Sequence, residues 1–405
     1  MKIKSKLWLI ALFSIIAVVS FSLTTCNEGT SRGGGGGGGG STTTTVTVIP
    51  YIITGSGTTF TATKSGVTIG TANQAIDNVI YAIADDAGDG ASYAIQFGSG
   101  GSELDIGDST MFFYCGGTIT LSGKITISDW GNAIYLDFGT SIISTADIKH
   151  TGLRGAITNA SDGTVTIKGG TVSAAYDTIR NEDTGTVNIS GGTVSATDGN
   201  AIFILSSGTV NISGGTVSAT SSATIYNNSD GTVNISGGTV SNTSTIFASV
   251  QNRDTGPVNI SGGTVSATTG SAVENWFGPV NISGGTVSAT TGIAILNISN
   301  SKITISQASG KTTLITSANT TTDEGTIVLW GGSGHVLQMS GGTVRNTSTD
   351  SAVRNAIYNE DNGEIIINGG TVRTFSSTGN YAINNIGGGA LTTTGATITG
   401  NINNP

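Results

Sequence analysis

The chain has 405 residues, of which 63 are glycine and only 10% are charged, against about 25% in an ordinary globular domain. Sixteen Lys and Arg stand against 25 Asp and Glu, a formal net charge of −9, and so acidic a chain is a poor partner for nucleic acid or an anionic membrane surface. Two cysteines, Cys26 and Cys115, exclude a disulfide framework, and Val, Ile and Thr at strand spacing exclude a disordered glycine-rich chain.

Residues 1–25 read as an export signal. Lys2, Lys4 and Lys6 form a basic start, and Leu7 to Val19 is an apolar run too short to span a bilayer comfortably. Without those three lysines, 13 basic residues face 25 acids and the net charge is −12. Phe21-Ser22-Leu23-Thr24-Thr25-Cys26 resembles a bacterial lipoprotein signal, with Leu23 three residues before the cysteine and Thr25 where Gly, Ala or Ser is usual. The resemblance implies that Cys26 is lipidated and that the protein is exported to the cell surface or outer membrane. Residues 26–45 carry Gly33–Gly40, then Ser41 and Thr42–Thr45. Such a run forms no core and serves as a flexible tether.

Residues 46–98 read as a cap. Thr71-Ala72-Asn73-Gln74 fits a capping box, and Ala72, Ala75, Ile76, Val79, Ile80 and Ile83 recur at helical spacing. The pattern predicts an amphipathic helix over 72–86, stopped by Gly88 and Gly90. The strand Tyr93-Ala94-Ile95-Gln96-Phe97 follows. A helix here would cover the open end of whatever sheet begins at that strand. Helix, glycine-rich turn and I-x-F strand together resemble the N-terminal cap of pectin-lyase-like right-handed β-helix proteins.

The segments 116–128 and 131–139 are irregular early strands. From 156 to 300 the chain repeats. Gly-Gly pairs fall at 169–170, 191–192, 214–215, 237–238, 262–263 and 284–285, spaced 22, 23, 23, 25 and 22 residues apart. A near-constant period of this length marks stacked units. In Thr186-Val187-Asn188-Ile189-Ser190 the apolar residues alternate with polar ones, which is a strand with one buried face. Gly191-Gly192 turns the chain, Thr193-Val194-Ser195-Ala196 is a second strand, and Ile179-Arg180-Asn181 represents a third. Three short strands and three corners per unit predict an all-β fold, a right-handed parallel β-helix over 99–400 with about 22–23 residues per coil. Twelve or thirteen coils at ~4.8 Å give a rod of about 60 Å. Residues 301–345 depart from the template, 351–400 return to it, and 401–405 form a polar tail.

The third strand ends in asparagine in most coils: Asn159, Asn181, Asn227, Asn252, Asn275, Asn297, Asn359 and Asn385, with Ile204 interrupting the series. Each lies two residues after an inward Ile or Val, so the series predicts an internal column bonded to turn backbone. The residue between is free to vary: Thr158, Arg180, Phe203, Tyr226, Gln251, Glu274, Leu296, Tyr358. Arg180, Phe203, Tyr226, Trp276 and Phe277 would share one side of the rod, a candidate surface for sugar rings or a protein; drift at an unconstrained position is the other reading.

Catalytic signals are weak. Asp162, Asp183, Asp230, Asp254 and Asp361 sit in corners, where Asp is a turn residue first. His150 and His335 lack metal-ligand spacing, and no cofactor is implied. The Asn-Ile-Ser triplets at 188, 211, 234, 259 and 281 are products of the repeat. The sequence resembles bacterial β-helix surface proteins, which implies an adhesin-like role. The alternative is a polysaccharide lyase or hydrolase of the pectin-lyase-like type. Ice binding through the rows Thr193/Ser195, Thr216/Ser218 and Thr264/Ser266 is a third reading.

Overall fold

The computed structural model describes residues 49–405 except 57–58, 74, 89, 115, 129–130, 322, 332–333, 350–353 and 375–379. The signal, Cys26, the tether and Cys115 therefore lie outside the described residues. The unit Thr45–Pro405 is a right-handed parallel β-helix of about 13 turns.

Each coil has three faces. The first holds strands such as Thr186–Ile189, the second strands such as Thr193–Ala196, and the third strands such as Ile179–Asn181. Third-face strands form a 13-stranded sheet from Met111–Phe113 to Asn401–Asn403. Equivalent residues stack one coil above another: Val187 pairs with Val210, Val233, Val258 and Val280 in turn. The alternation seen in the sequence sets the faces. Val187, Ile189, Val194, Ile179 and Ala201 are all fully buried, while Thr186, Asn188, Thr193 and Ser195 look outward. The Gly-Gly corner between first and second faces needs glycine for two reasons. Gly215 has φ 72, and a Cβ there would stand 2.7 Å from the carbonyl oxygen of Gly192 in the coil below.

The asparagines form a buried column, all eight of them fully inaccessible. Asn227 Nδ2 donates to Gly231 O (2.7 Å) and to Asn252 Oδ1 (2.8 Å); Asn252 repeats this with Gly256 O (2.8 Å) and Asn275 Oδ1 (2.9 Å). Each amide thus caps a corner carbonyl and ties two coils. The corner glycines make room for it: a Cβ on Gly185 would stand 2.1 Å from Asn159 Nδ2, and one on Gly208 2.0 Å from Asn181 Nδ2. Where the column breaks, a polar atom is left over. Asn227 Oδ1 stacks on Ile204 and Asn159 Oδ1 on Leu136, and both lack a partner. Leu329 makes a further break, but His335 fills in, its Nε2 2.7 Å from Asn359 Oδ1. A second ladder runs outside. Asn211, Asn234, Asn259 and Asn281 each donate from Nδ2 to the Oδ1 of the asparagine one coil earlier, at 2.9 Å, starting from Asn188. The Asn-Ile-Ser triplets carry this ladder.

The cap differs from expectation. Strands β1 (Ile49–Ser56), β2 (Thr59–Lys64) and β3 (Val67–Asn73) form an antiparallel meander. Helix α1 (Ile76–Ala87) follows and buries Ile76, Val79, Ile80 and Ile83. The helix therefore does not begin at 72. Ala72 belongs to β3, the N-cap is Ala75 with extended backbone, and no side chain caps it, so the predicted capping box does not form. Pairing of β3, rich in β-branched residues, with β2 outcompetes helical extension. Gly70 lets the helix close on the sheet, since a Cβ there would meet that of Ala82 at 2.6 Å. β1 also pairs in parallel with β4 (Tyr93–Phe97), the first rung of the solenoid.

Residues 301–345 keep the three faces in a wider coil, with strands at Lys302–Ile305, Thr313–Ser317 and Gly325–Leu329. At the far end Asn401–Asn403 adds a rung to the third face and Asn404 Oδ1 accepts from Asn385 Nδ2 at 2.5 Å. The polar tail is thus part of the sheet.

Candidate ligand-binding groove

The outward residues of the third face stack in one row: Phe112, Tyr135, Thr158, Arg180, Phe203, Tyr226, Gln251, Glu274, Leu296, Val328, Tyr358. Strand alternation puts them there, because their neighbours on either side point inward. The row is not uniform, and three stretches differ.

The early stretch is open. Tyr135, Thr158 and Arg180 floor a groove of about 470 Å³ whose walls are the corners before successive strands, with Leu153, Arg154, Tyr176 and Asp177. Leu153 and Tyr176 are 52% and 45% exposed. Arg180 is held by carboxylates on both sides: Nη1 lies 2.9 Å from Asp177 Oδ2 and Nε 2.9 Å from Glu182 Oε1. Its guanidinium lies over the Phe203 ring at 5.3 Å, and Phe203 contacts Tyr226 with centroids 5.3 Å apart. Asp177 is fixed in turn by the backbone and side-chain N–H groups of Asn200, both at 2.9 Å. Between Tyr135 and Arg180 sits Thr158. It is 1% exposed, and its Oγ1 has no hydrogen-bond partner. Gly155 lies against it, a Cβ there standing 3.5 Å from that hydroxyl in ordinary contact. An unpaired buried hydroxyl costs about 1–3 kcal/mol, so its presence on a groove floor demands a reason. Burial pushes the Tyr135 phenol above its ordinary range, with the charges of Glu182 and Asp137 adding to it.

Aromatic rings continue toward the cap. Phe112 stacks on Tyr114 (5.5 Å) and meets Tyr135 (5.4 Å), while Tyr114 stacks on Tyr81 (6.2 Å) and touches Phe138. Phe138 is 71% exposed and has φ 50, a left-handed conformation uncommon for an aromatic residue.

The middle stretch is closed by its own bonds. Glu274 Oε1 accepts from Gln251 Nε2 (2.9 Å) and Trp276 Nε1 (2.8 Å), and Arg253 lies 4.2 Å over the Trp276 ring. The late stretch is covered, with Leu296, Val328 and Tyr358 buried together with Ile293 outside the main core.

Of the five candidate residues, Arg180 lines the groove and Phe203 and Tyr226 continue its row. Trp276 and Phe277 lie two coils beyond Tyr226, and Trp276 is engaged by Glu274 and Arg253 rather than joined to the groove. Tyr135, Leu153, Arg154, Tyr176 and Asp177 were not legible as site residues. Tyr135 alone carried a signal, because Ile134-Tyr135-Leu136 matches the third-face template with Leu in place of Asn. Among the described residues no three His, Cys, Asp or Glu side chains gather to hold a metal ion, and no helix is long and apolar enough to cross a membrane. Comparison of the chain with protein-family models, with curated proteins and with solved structures finds no match.

Proposed function

We propose that the protein is exported, held to the cell surface through lipidated Cys26, and binds a saccharide in the groove around Thr158 without turning it over. The observation that carries the reading is the unpartnered Thr158 hydroxyl on the floor of an open groove, beside Tyr135 in that floor and Tyr176 in the wall. A sugar supplies what this arrangement lacks, a hydroxyl for Thr158 and an apolar ring face for the aromatic residues. The volume suits a few sugar units, whereas a stable protein partner would need on the order of 800 Å² on each side. The basic and apolar leader and the glycine tether before residue 46 support export and stand-off from a membrane.

A lyase or hydrolase of acidic polysaccharides would need a carboxylate or other base free to move a proton. Asp177 and Glu182 are both bound to Arg180, which favours binding over catalysis. The test uses cells making the full-length chain and fluorescent oligosaccharides. Labelling of intact cells is expected, its loss in a Tyr135→Ala/Tyr176→Ala variant present at equal amount, and release of the chain from the membrane fraction with Cys26→Ser. Equal labelling of the double variant would overturn the site, and a membrane-bound Cys26→Ser chain would overturn the anchor.

A further inference from the structure

We infer that the saccharide lies lengthwise along the rod and that the aromatic cluster where cap meets solenoid is a second subsite for it. The preferred ligand is then a straight β-1,4-linked chain longer than the groove, an inference that rests on the saccharide-binding role above. Nine large apolar side chains are exposed among the described residues. Four of them belong to this one stretch: Leu153 and Tyr176 on the groove wall, Phe138 and Tyr81 in the adjoining cluster. Ring contacts connect the two places. Tyr135 in the groove floor meets Phe112 at 5.4 Å. Phe112 lies 5.5 Å from Tyr114 with planes 4° apart, and Tyr114 lies 6.2 Å from Tyr81 with planes 13° apart. Only 6% of the chain is aromatic, so rings gathered on one face and open to solvent mark a binding surface rather than scattered exposure.

Phe138 is the ring that packing does not explain. It is 71% exposed, and its φ of 50 is a conformation that glycine or asparagine adopts more readily than an aromatic residue. It touches Tyr114 with planes 62° apart, and most of its surface is left for a ligand. The direction follows from the stacking. Neighbouring third-face strands lie ~4.8 Å apart, close to the length that one sugar adds to an extended β-1,4-linked chain. Sugars laid along the row meet one outward side chain each, Thr158, Tyr135 and Phe112 in turn. Tyr114 and Phe138 come just after third-face strands, whereas Leu153 and Arg154 come just before one. The cluster therefore flanks the row on the side opposite the groove wall. The other direction is occupied: the Arg180 guanidinium lies over the Phe203 ring, and Gln251, Glu274 and Trp276 are bonded to one another. A chain too long for the groove leaves it toward the cap. An α-1,4-linked chain coils and cannot keep step with successive strands.

The test is calorimetric titration of the full-length chain, in detergent, with the trioses and hexaoses of the cello-, xylo- and chito-series and with maltohexaose. At least one β-1,4-linked hexaose is expected to bind about tenfold more tightly than its own triose and than maltohexaose. In Phe138→Asn/Tyr81→Gln, asparagine suits the left-handed corner and glutamine suits the helix. That variant should bind the hexaose no better than the triose, while the triose binds as it does to the parent and so reports an intact groove. A triose bound as tightly as its hexaose, or a hexaose whose affinity the double variant leaves unchanged, would overturn the second subsite and leave the saccharide role standing. Maltohexaose bound more tightly than all three β-1,4-linked hexaoses would overturn the lengthwise register. Loss of triose and hexaose together in Phe138→Asn alone, at an unchanged urea midpoint, would overturn the division into two subsites. Binding of none of the sugars would overturn both this inference and the role beneath it.

Discussion

Asn252 shows how one side chain links three coils. It donates to Gly256 O and Asn275 Oδ1 and accepts from Asn227 Nδ2. Replacing it with Ala removes all three bonds and takes a donor from the Gly256 carbonyl and from Asn275 Oδ1 and an acceptor from one N–H of Asn227. We expect Asn252→Ala to destabilise the fold by about 2–4 kcal/mol, seen as a lower urea midpoint. Ile204→Asn is the informative counterpart. It loses the burial of an isoleucine but offers a donor to Asn227 Oδ1, which has none, so its midpoint should stay within about 1 kcal/mol of the parent. A large loss at Ile204→Asn and none at Asn252→Ala would show that the column contributes nothing to stability. These asparagines could be assigned to the interior without coordinates because their position two residues after an inward Ile leaves no other direction for them. The role of Trp276 could not, because its partners Arg253 and Glu274 come from different coils.

At the scale of elements, the cap joins the solenoid through an aromatic cluster that titrates. Tyr114 lies between Tyr81, Phe112 and Phe138. Burial chiefly, with nearby Tyr81, Asp77, Asp137 and Tyr135 adding to it, pushes its phenol up to about 12. Above the ordinary value of 10 the unfolded chain releases this proton while the folded chain keeps it. The folded state then binds more protons, so stability falls as pH rises from about 10 to about 12. Tyr114→Phe keeps the ring stack and removes the ionisation. In an alkaline titration followed by circular dichroism the variant should unfold at higher pH than the parent, and coincident midpoints would refute the argument. The helix in this cap was recognisable from its apolar spacing, whereas its first residue was not. Residues 67–73 have both helical spacing near their end and strand propensity throughout, and only their pairing with β2 decides between the two.

At the scale of the molecule, each coil contacts its neighbours and little else, so coils behave as nearly interchangeable layers. Removing residues 209–231 joins Gly208 to Thr232, the equivalent of Thr209, and closes the stack on an identical seam. The shortened chain should fold, retain its β-sheet dichroism, and bind saccharide as the parent does, because the groove lies in earlier coils. Aggregation or an unfolded spectrum would mean that the coils are not interchangeable. The deletion also removes Ile204's neighbour Asn227, placing Ile204 beneath Asn252, so a modest change in stability is part of the expected result.

The period, the inward Val and Ile, the glycine corners and the asparagine series determined the β-helix from sequence alone. Each is a local requirement repeated coil after coil: an inward position admits an apolar residue or an asparagine bonded within its column, and a corner touching the coil below admits glycine. The groove obeys no such repetition. Its walls are corners that occur once, Leu153-Arg154 and Tyr176-Asp177, and its floor joins Tyr135, Thr158 and Arg180 from three coils. Which corner stands open, which aromatic residue is engaged by a neighbouring carboxylate, and which hydroxyl is left without a partner depend on side chains distant in the chain meeting across the stack. Tertiary structure alone decided these, because the repeat constrains what points inward and leaves the outward residues to interact with whatever register sets beside them.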